Sequence, residues 1–154
     1  MQRPSPRRLT DGEIHAVPTP IADTIDLFRV EIHRRRWTVL TPPRITVARG
    51  YKIFWPGAPE EAVSPAKTAH LVHEITHVWQ YHYLGVGLYS LRWLDRRYTY
   101  TLKRGDRLIS FGLEQQASIV EDYVLSELSR PLRRAQNNPS PALLRETVMG
   151  MTKS

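Results

Sequence analysis

At 154 residues the chain is long enough for one domain with its own core, and a composition 41% hydrophobic and 24% charged excludes a chain that stays disordered. Cysteine is absent, which excludes disulfides, thiolate nucleophiles and thiolate metal sites; any metal here has to use histidine and carboxylate ligands. The 22 Lys and Arg against 15 Asp and Glu leave a formal charge of +7, but the basic residues fall in short scattered runs (Arg34-Arg35-Arg36, Arg96-Arg97, Lys103-Arg104, Arg133-Arg134) that read as a solvated surface, so nucleic acid is not an expected partner.

Residues 1–8 are basic and Pro-rich and read as a flexible tail; no apolar core of a signal peptide follows them. No apolar run nears the roughly 20 residues of a membrane span. Thr10-Asp11-Gly12-Glu13 sets an N-cap hydroxyl three residues before a glutamate and predicts a short helix that Pro18-Thr19-Pro20 must end. Residues 25–33, carrying Ile25, Leu27, Val30 and Ile32, predict a strand. Two β-rich runs, 44–48 and 51–55, flank Gly50 and predict a hairpin, which Pro56-Gly57-Ala58-Pro59 breaks.

Ser64-Pro65 is a strong helix start, a hydroxyl cap followed by proline where its missing N–H costs nothing. The helix is expected over 66–84, stopped by Gly85. Ala69, Val72, Thr76, Trp79 and Tyr83 form one stripe and Leu71, Ile75 and Val78 another, so it should be buried. Residues 98–102 predict a strand, Gly105-Asp106 a turn, and 111–128 a second long helix with Leu113, Ala117, Val120, Val124 and Leu128 on one face. A shorter helix around 141–149 falls within a C-terminal extension, 131–154, that follows the main unit at 9–130.

The chemistry lies in the first long helix. His73 and His77 are four residues apart, so they project the same way and their imidazoles can reach one ion at about 2.0–2.1 Å without backbone distortion. Glu74 is rotated away from direct ligation but is well placed to take a proton from a water on the metal. At this composition a chance His-Glu-x-x-His would occur about 0.01 times in roughly 150 windows, and burying three polar residues on such a helix is costly unless they are paired or bind metal. The competing reading is a helix whose histidines only hydrogen-bond to neighbours.

A tetrahedral site needs a third protein ligand from elsewhere. The second long helix offers Glu114, Glu121 and Asp122, of which Glu114 and Glu121 are two turns apart on one face. Glu114, followed by Gln115, Gln116 and Ala117, is the preferred ligand; Glu121 is the alternative, or else the carboxylate that orients a ligand histidine. His70 flanks the pair, His82 points away, and His15 and His33 have no partner pattern. Tyr98 and Tyr100 could donate to an oxyanion or simply pack.

Leu71-Val72-His73-Glu74-Ile75-Thr76-His77-Val78-Trp79-Gln80 and Gly112-Leu113-Glu114-Gln115-Gln116-Ala117-Ser118-Ile119-Val120, with the stretches at 9–14 and 25–37, resemble the bacterial Vgr-related proteins and the zinc-metallopeptidase-like domains attached to some type VI secretion spike proteins. The resemblance implies a zincin-like α+β fold: a small β-sheet or hairpins packed on two long helices. It also implies Zn2+ on His73, His77 and Glu114 in a gluzincin-like site, with Glu74 as general base. In related families an acidic residue stands where this chain has Ser118, which keeps Glu121 in view as the support of a ligand histidine. The expected function is a zinc-dependent hydrolase acting on a peptide or protein, with a secretion-system spike or effector as partner. Such a protein would be cytoplasmic or delivered by a specialised secretion system. A non-catalytic zinc-binding adaptor and an SprT-like nucleic-acid-associated protease are the alternatives.

Overall fold

The computed structural model describes residues 3–87 and 91–153, so residues 1–2 of the expected tail and the last residue of the expected extension lie outside the described residues. The architecture is α+β, a small sheet beside helices. Strand β1 (Arg7–Arg8) runs antiparallel to β2 (Glu31–His33), β2 parallel to β4 (Lys52–Phe54), and β4 antiparallel to β3 (Val47–Arg49), which forms one outer edge. The neighbours Ile32 and Ile53 are both fully buried and anchor the sheet to the core.

Helix α3 (Pro65–His82) starts where the Ser64 hydroxyl accepts from the Lys67 amide. Every residue from Leu71 to Gln80 is buried, so the polar side chains in that run depend on partners inside the protein; among the described residues the Trp79 indole nitrogen has none. Helix α4 (Leu113–Glu127) packs along it, and α5 (Pro141–Met149) covers α4 with the fully buried Leu144 and Val148. None of the described helices is long and apolar enough to cross a membrane.

The predicted elements differ from the observed ones in instructive places. The capping box at Thr10 and Glu13 opens α1 (Asp11–Ala16), but Pro20 then helps start a second short helix, α2 (Thr19–Ala22), on the far side of Pro18. Residues 25–33 are a strand only at their end: the Asp26 carboxylate accepts from the Phe28 amide and coils Leu27–Arg29 into a 3-10 turn first. The hairpin exists with Gly50 at φ +60°, but it is three residues long on each side. Residues 98–102 are not a strand. Tyr100 makes a single parallel bridge to Ala135, and Leu102 bonds instead to the Asn137 side chain. Tyr83, expected on the buried stripe, caps α3 and is 44% exposed.

Two buried carboxylates hold the ends of the chain. Glu13, 1% exposed, accepts both forks of Arg7 at 2.8 and 2.9 Å and the amides of Thr10 and Ala62. Thus residues 7–8, at the end of the expected tail, are pinned into the sheet. Asp122, fully buried on α4, accepts from the amides of Arg133, Arg134 and Ala135 and from the Tyr100 hydroxyl at 2.8 Å. The segment leading into α5 is therefore fastened to the core, not appended to it.

Removing Asp122 would strand four donors, so Asp122→Ala is expected to cost about 3–5 kcal/mol in denaturant unfolding. Burial pushes the Glu13 carboxyl up, but the Arg7 guanidinium and the two amides outweigh it and hold the group below the usual 4.5. Because the folded value is the lower one, this stabilisation is present above pH 4.5 and is lost as pH falls through the folded value. Glu13→Gln should lower stability by about 1.5–3 kcal/mol at pH 7, and the gap from wild type should close as unfolding is measured at progressively more acid pH.

Candidate metal centre

Where α3 crosses α4, His73 and His77 meet Glu114. The carboxylate Oε2 of Glu114 lies 3.2 Å from Nε2 of each histidine, and the three potential donor atoms all fall within 4.8 Å of one another. All three side chains are buried. Ligand atoms about 2.0–2.1 Å from a tetrahedral ion sit about 3.3 Å apart, so the two short edges of this triangle match what a metal would impose.

The far side of each ring is also fixed. His73 Nδ1 is 2.9 Å from Glu121 Oε2, and His77 Nδ1 is 2.8 Å from Gln80 Oε1. The Gln80 amide nitrogen donates to Leu113 O and Gln116 Oε1, which leaves its oxygen to accept from His77. Both Nδ1 atoms therefore carry protons, and both Nε2 atoms turn towards Glu114. That is the arrangement in which outer hydrogen bonds orient histidine ligands and raise their basicity. Glu121 is itself held by Arg133 at 3.1 Å.

Electrostatics concentrates charge here. Burial opposes protonation of His73, but its bonds to Glu114 and Glu121 outweigh burial and hold the imidazolium up to about 10. Burial likewise works against ionised Glu114, and the two histidines overcome it and hold the carboxyl well below its usual range. Glu74 differs: burial raises it, and the neighbouring His73 and His77 only partly offset the rise. A cation at the shared focus would take the place of protons at Nε2. The histidine–carboxylate donor set with no sulfur suits a borderline ion.

The group opens onto a cleft of about 730 Å³ whose walls include His73, Glu74, His77, Glu114, Tyr98 and the β3 edge. Tyr98 stacks on His73 with ring centres 6.2 Å apart. Tyr100 does not reach the cleft; its hydroxyl is committed to Asp122, and burial with that carboxylate raises it far above the usual phenol range. His70 lines the cleft but bonds to the Thr46 hydroxyl at 2.9 Å, and burial and His73 press it down to about 4. His82 stacks on Tyr51, His33 pairs with Glu31, and His15 bonds to Asp11 O, so none of them approaches the centre. The sequence pattern alone assigns Gln80 no role; its place three residues after His77 on the same helix is the signal that could have found it.

His73→Ala, His77→Ala and Glu114→Ala should each reduce bound metal, measured by plasma emission after dialysis against trace zinc, to below about a tenth of wild type. Glu121→Ala should retain it with about 10–100-fold weaker affinity. Equal loss in Glu114→Ala and Glu121→Ala would remove the distinction between ligand and support.

No family model matches the chain. In sequence it is similar to the type VI secretion system spike protein VgrG2b of Pseudomonas aeruginosa, 29% identical over 133 residues, a match covering 79% of this chain and 13% of that protein. The chain thus spans only a small part of that relative's length. In fold it is similar to the effector domain of Pseudomonas aeruginosa VgrG2b, with a TM-score of 0.69, 22% identity and coverage of 98% of this chain and 86% of that one. With a buried group able to hold a metal ion, the chain is a homologue of the spike protein VgrG2b and has the fold of that protein's effector domain.

Proposed function

We propose that this protein is a zinc-dependent peptidase of zincin-like fold, working as an effector module of a type VI secretion spike. The observation that carries the reading is the three-donor group His73, His77 and Glu114 opening onto a cleft that Glu74 also lines. Among the described residues no fourth His, Cys, Asp or Glu joins the group. Three protein ligands with a position left open is the arrangement of catalytic zinc; a structural site is closed by four. The likeness in fold to an effector domain supports the assignment to secretion, with a spike protein as partner and delivery outside the producing cell.

Zinc, when bound by these residues, supplies a Lewis acid that polarises the substrate carbonyl and acidifies water. The rest falls to the chain. A Glu74 carboxylate oxygen accepts the proton of the attacking water and returns it to the leaving amine; its burial raises its basicity towards the working range. The Tyr98 hydroxyl, beside His73 at the cleft, donates to the developing oxyanion. Glu121 and Gln80 keep the two histidine rings aimed.

Glu74→Gln should keep the fold and the metal while lowering kcat/KM on unfolded protein substrates by about 10²–10⁴. Metal-loaded Glu74→Gln that cleaves as fast as wild type would refute the mechanism.

A further inference from the structure

The floor of the cleft is acidic and its rim is basic. Glu74, Glu114 and Glu121 lie at the bottom, and Arg44, Arg49, Arg96 and Arg134 line the walls. Arg134 is engaged, with its guanidinium 3.7 Å from Glu121 and over the Tyr98 ring. Arg49 and Arg96 are not: among the described residues no carboxylate stands within ion-pair distance of either.

Arg49 is also built to stay where it is. It closes β3, stacks on the Trp37 ring at 4.4 Å and gives one guanidinium proton to Ala48 O, while its buried Nε finds no acceptor. Burial, and then the positive charge of Arg96, lower its hold on its own proton. Arg96 and Tyr98 line the same cleft as Arg49. A half-buried guanidinium with an orphaned donor, next to a second cation, lacks an anion. A planar fork of donors fits a carboxylate in two-point contact.

We infer that Arg49 and Arg96 form a carboxylate-binding subsite, and that the substrate is a peptide carrying a carboxylate close to the bond that is cut. This rests on the peptidase reading above. An acidic side chain and a free chain end offer the same group, and the test separates them.

Binding is measured by calorimetry on metal-loaded Glu74→Gln, with end-blocked hexapeptides that differ only by Glu or Gln at one position, a free-acid version of the Gln peptide, and oligo-dT. Cleavage of the same peptides is followed on the wild-type metalloprotein. A Glu peptide or the free-acid peptide should bind at least about tenfold tighter than the blocked Gln peptide, the size of a charge-assisted hydrogen bond. That ratio should collapse towards one in Arg49→Gln/Arg96→Gln, and Arg49→Lys, which keeps the charge but loses the planar fork, should hold it at an intermediate value. In cleavage the same preference should appear in KM more than in kcat. Arg96 is exposed, so Arg96→Gln alone gives a folded variant in which the ratio must still fall.

Preference in binding with no cleavage of any peptide would sink the peptidase reading and leave the subsite standing. Cleavage with equal rates for Glu, Gln and free-acid peptides would overturn the subsite and leave the peptidase. Oligo-dT binding that is tighter than any peptide and lost in the double variant would give the arginines to phosphate and overturn the proposal.

Discussion

Burial of a charged cluster between two helices governs this protein. Leu71 to Gln80 of α3 is buried without a break, and α4 is buried over most of its length. Four ionisable groups and two glutamines sit in that contact, where an unpaired polar atom costs roughly 1–3 kcal/mol and an unpaired charge more. Each group is satisfied by the opposite helix or by its own next turn: His73 by Glu121 and Glu114, His77 by Gln80 and Glu114, Gln80 by Leu113 O and Gln116. The spacing and rotation of α3 against α4 are thereby tied to hydrogen bonds as well as to packing.

The same arrangement divides the titratable groups by role. Carboxylates that meet an imidazole are pulled down, while Glu74, which lines the cleft, is pushed up by burial. Two glutamates beside one cleft thus acquire opposite tendencies from their surroundings. Around them the arginines of the rim give the cleft a polarity running from acidic floor to basic mouth. An anionic group entering it would be drawn to the rim and kept from the floor.

Outside the site, the fold relies on two further buried carboxylates to fasten its ends. Glu13 ties β1, α1 and residue 62 together, and Asp122 ties α4 to 133–135 and to Tyr100. Asp122 lies one residue from Glu121, whose other partners are Arg133 and Arg134. Anchoring the 133–135 backbone therefore also holds the arginines that neutralise the histidine-orienting carboxylate. The C-terminal segment reaches the site through that route.

What was legible in the sequence is what local geometry dictates. Helical periodicity put His73 and His77 on one face, Ser64-Pro65 marked where α3 begins, Thr10 and Glu13 marked α1, and Gly50 marked the hairpin, because each depends on residues within a turn or two. Strand content was poorly legible: the parallel pairing of β2 with β4 and the bridge of Tyr100 to Ala135 join segments about 20 and 35 residues apart, and no short-range signal encodes that. The same limit applied to the site. Glu114 and Glu121 were visible as two carboxylates on one face of α4, but which meets Nε2 and which meets Nδ1 is decided by how α4 is rotated against α3. Tyr98 and Tyr100 looked equivalent from the chain, and only packing turned one to the cleft and the other to Asp122. The sequence by itself determined that His73 and His77 share one face of a buried helix; the tertiary structure decided which carboxylate meets both Nε2 atoms, which groups hold the rings, and the cleft beside them, because those arise from contacts between helices that no local pattern specifies.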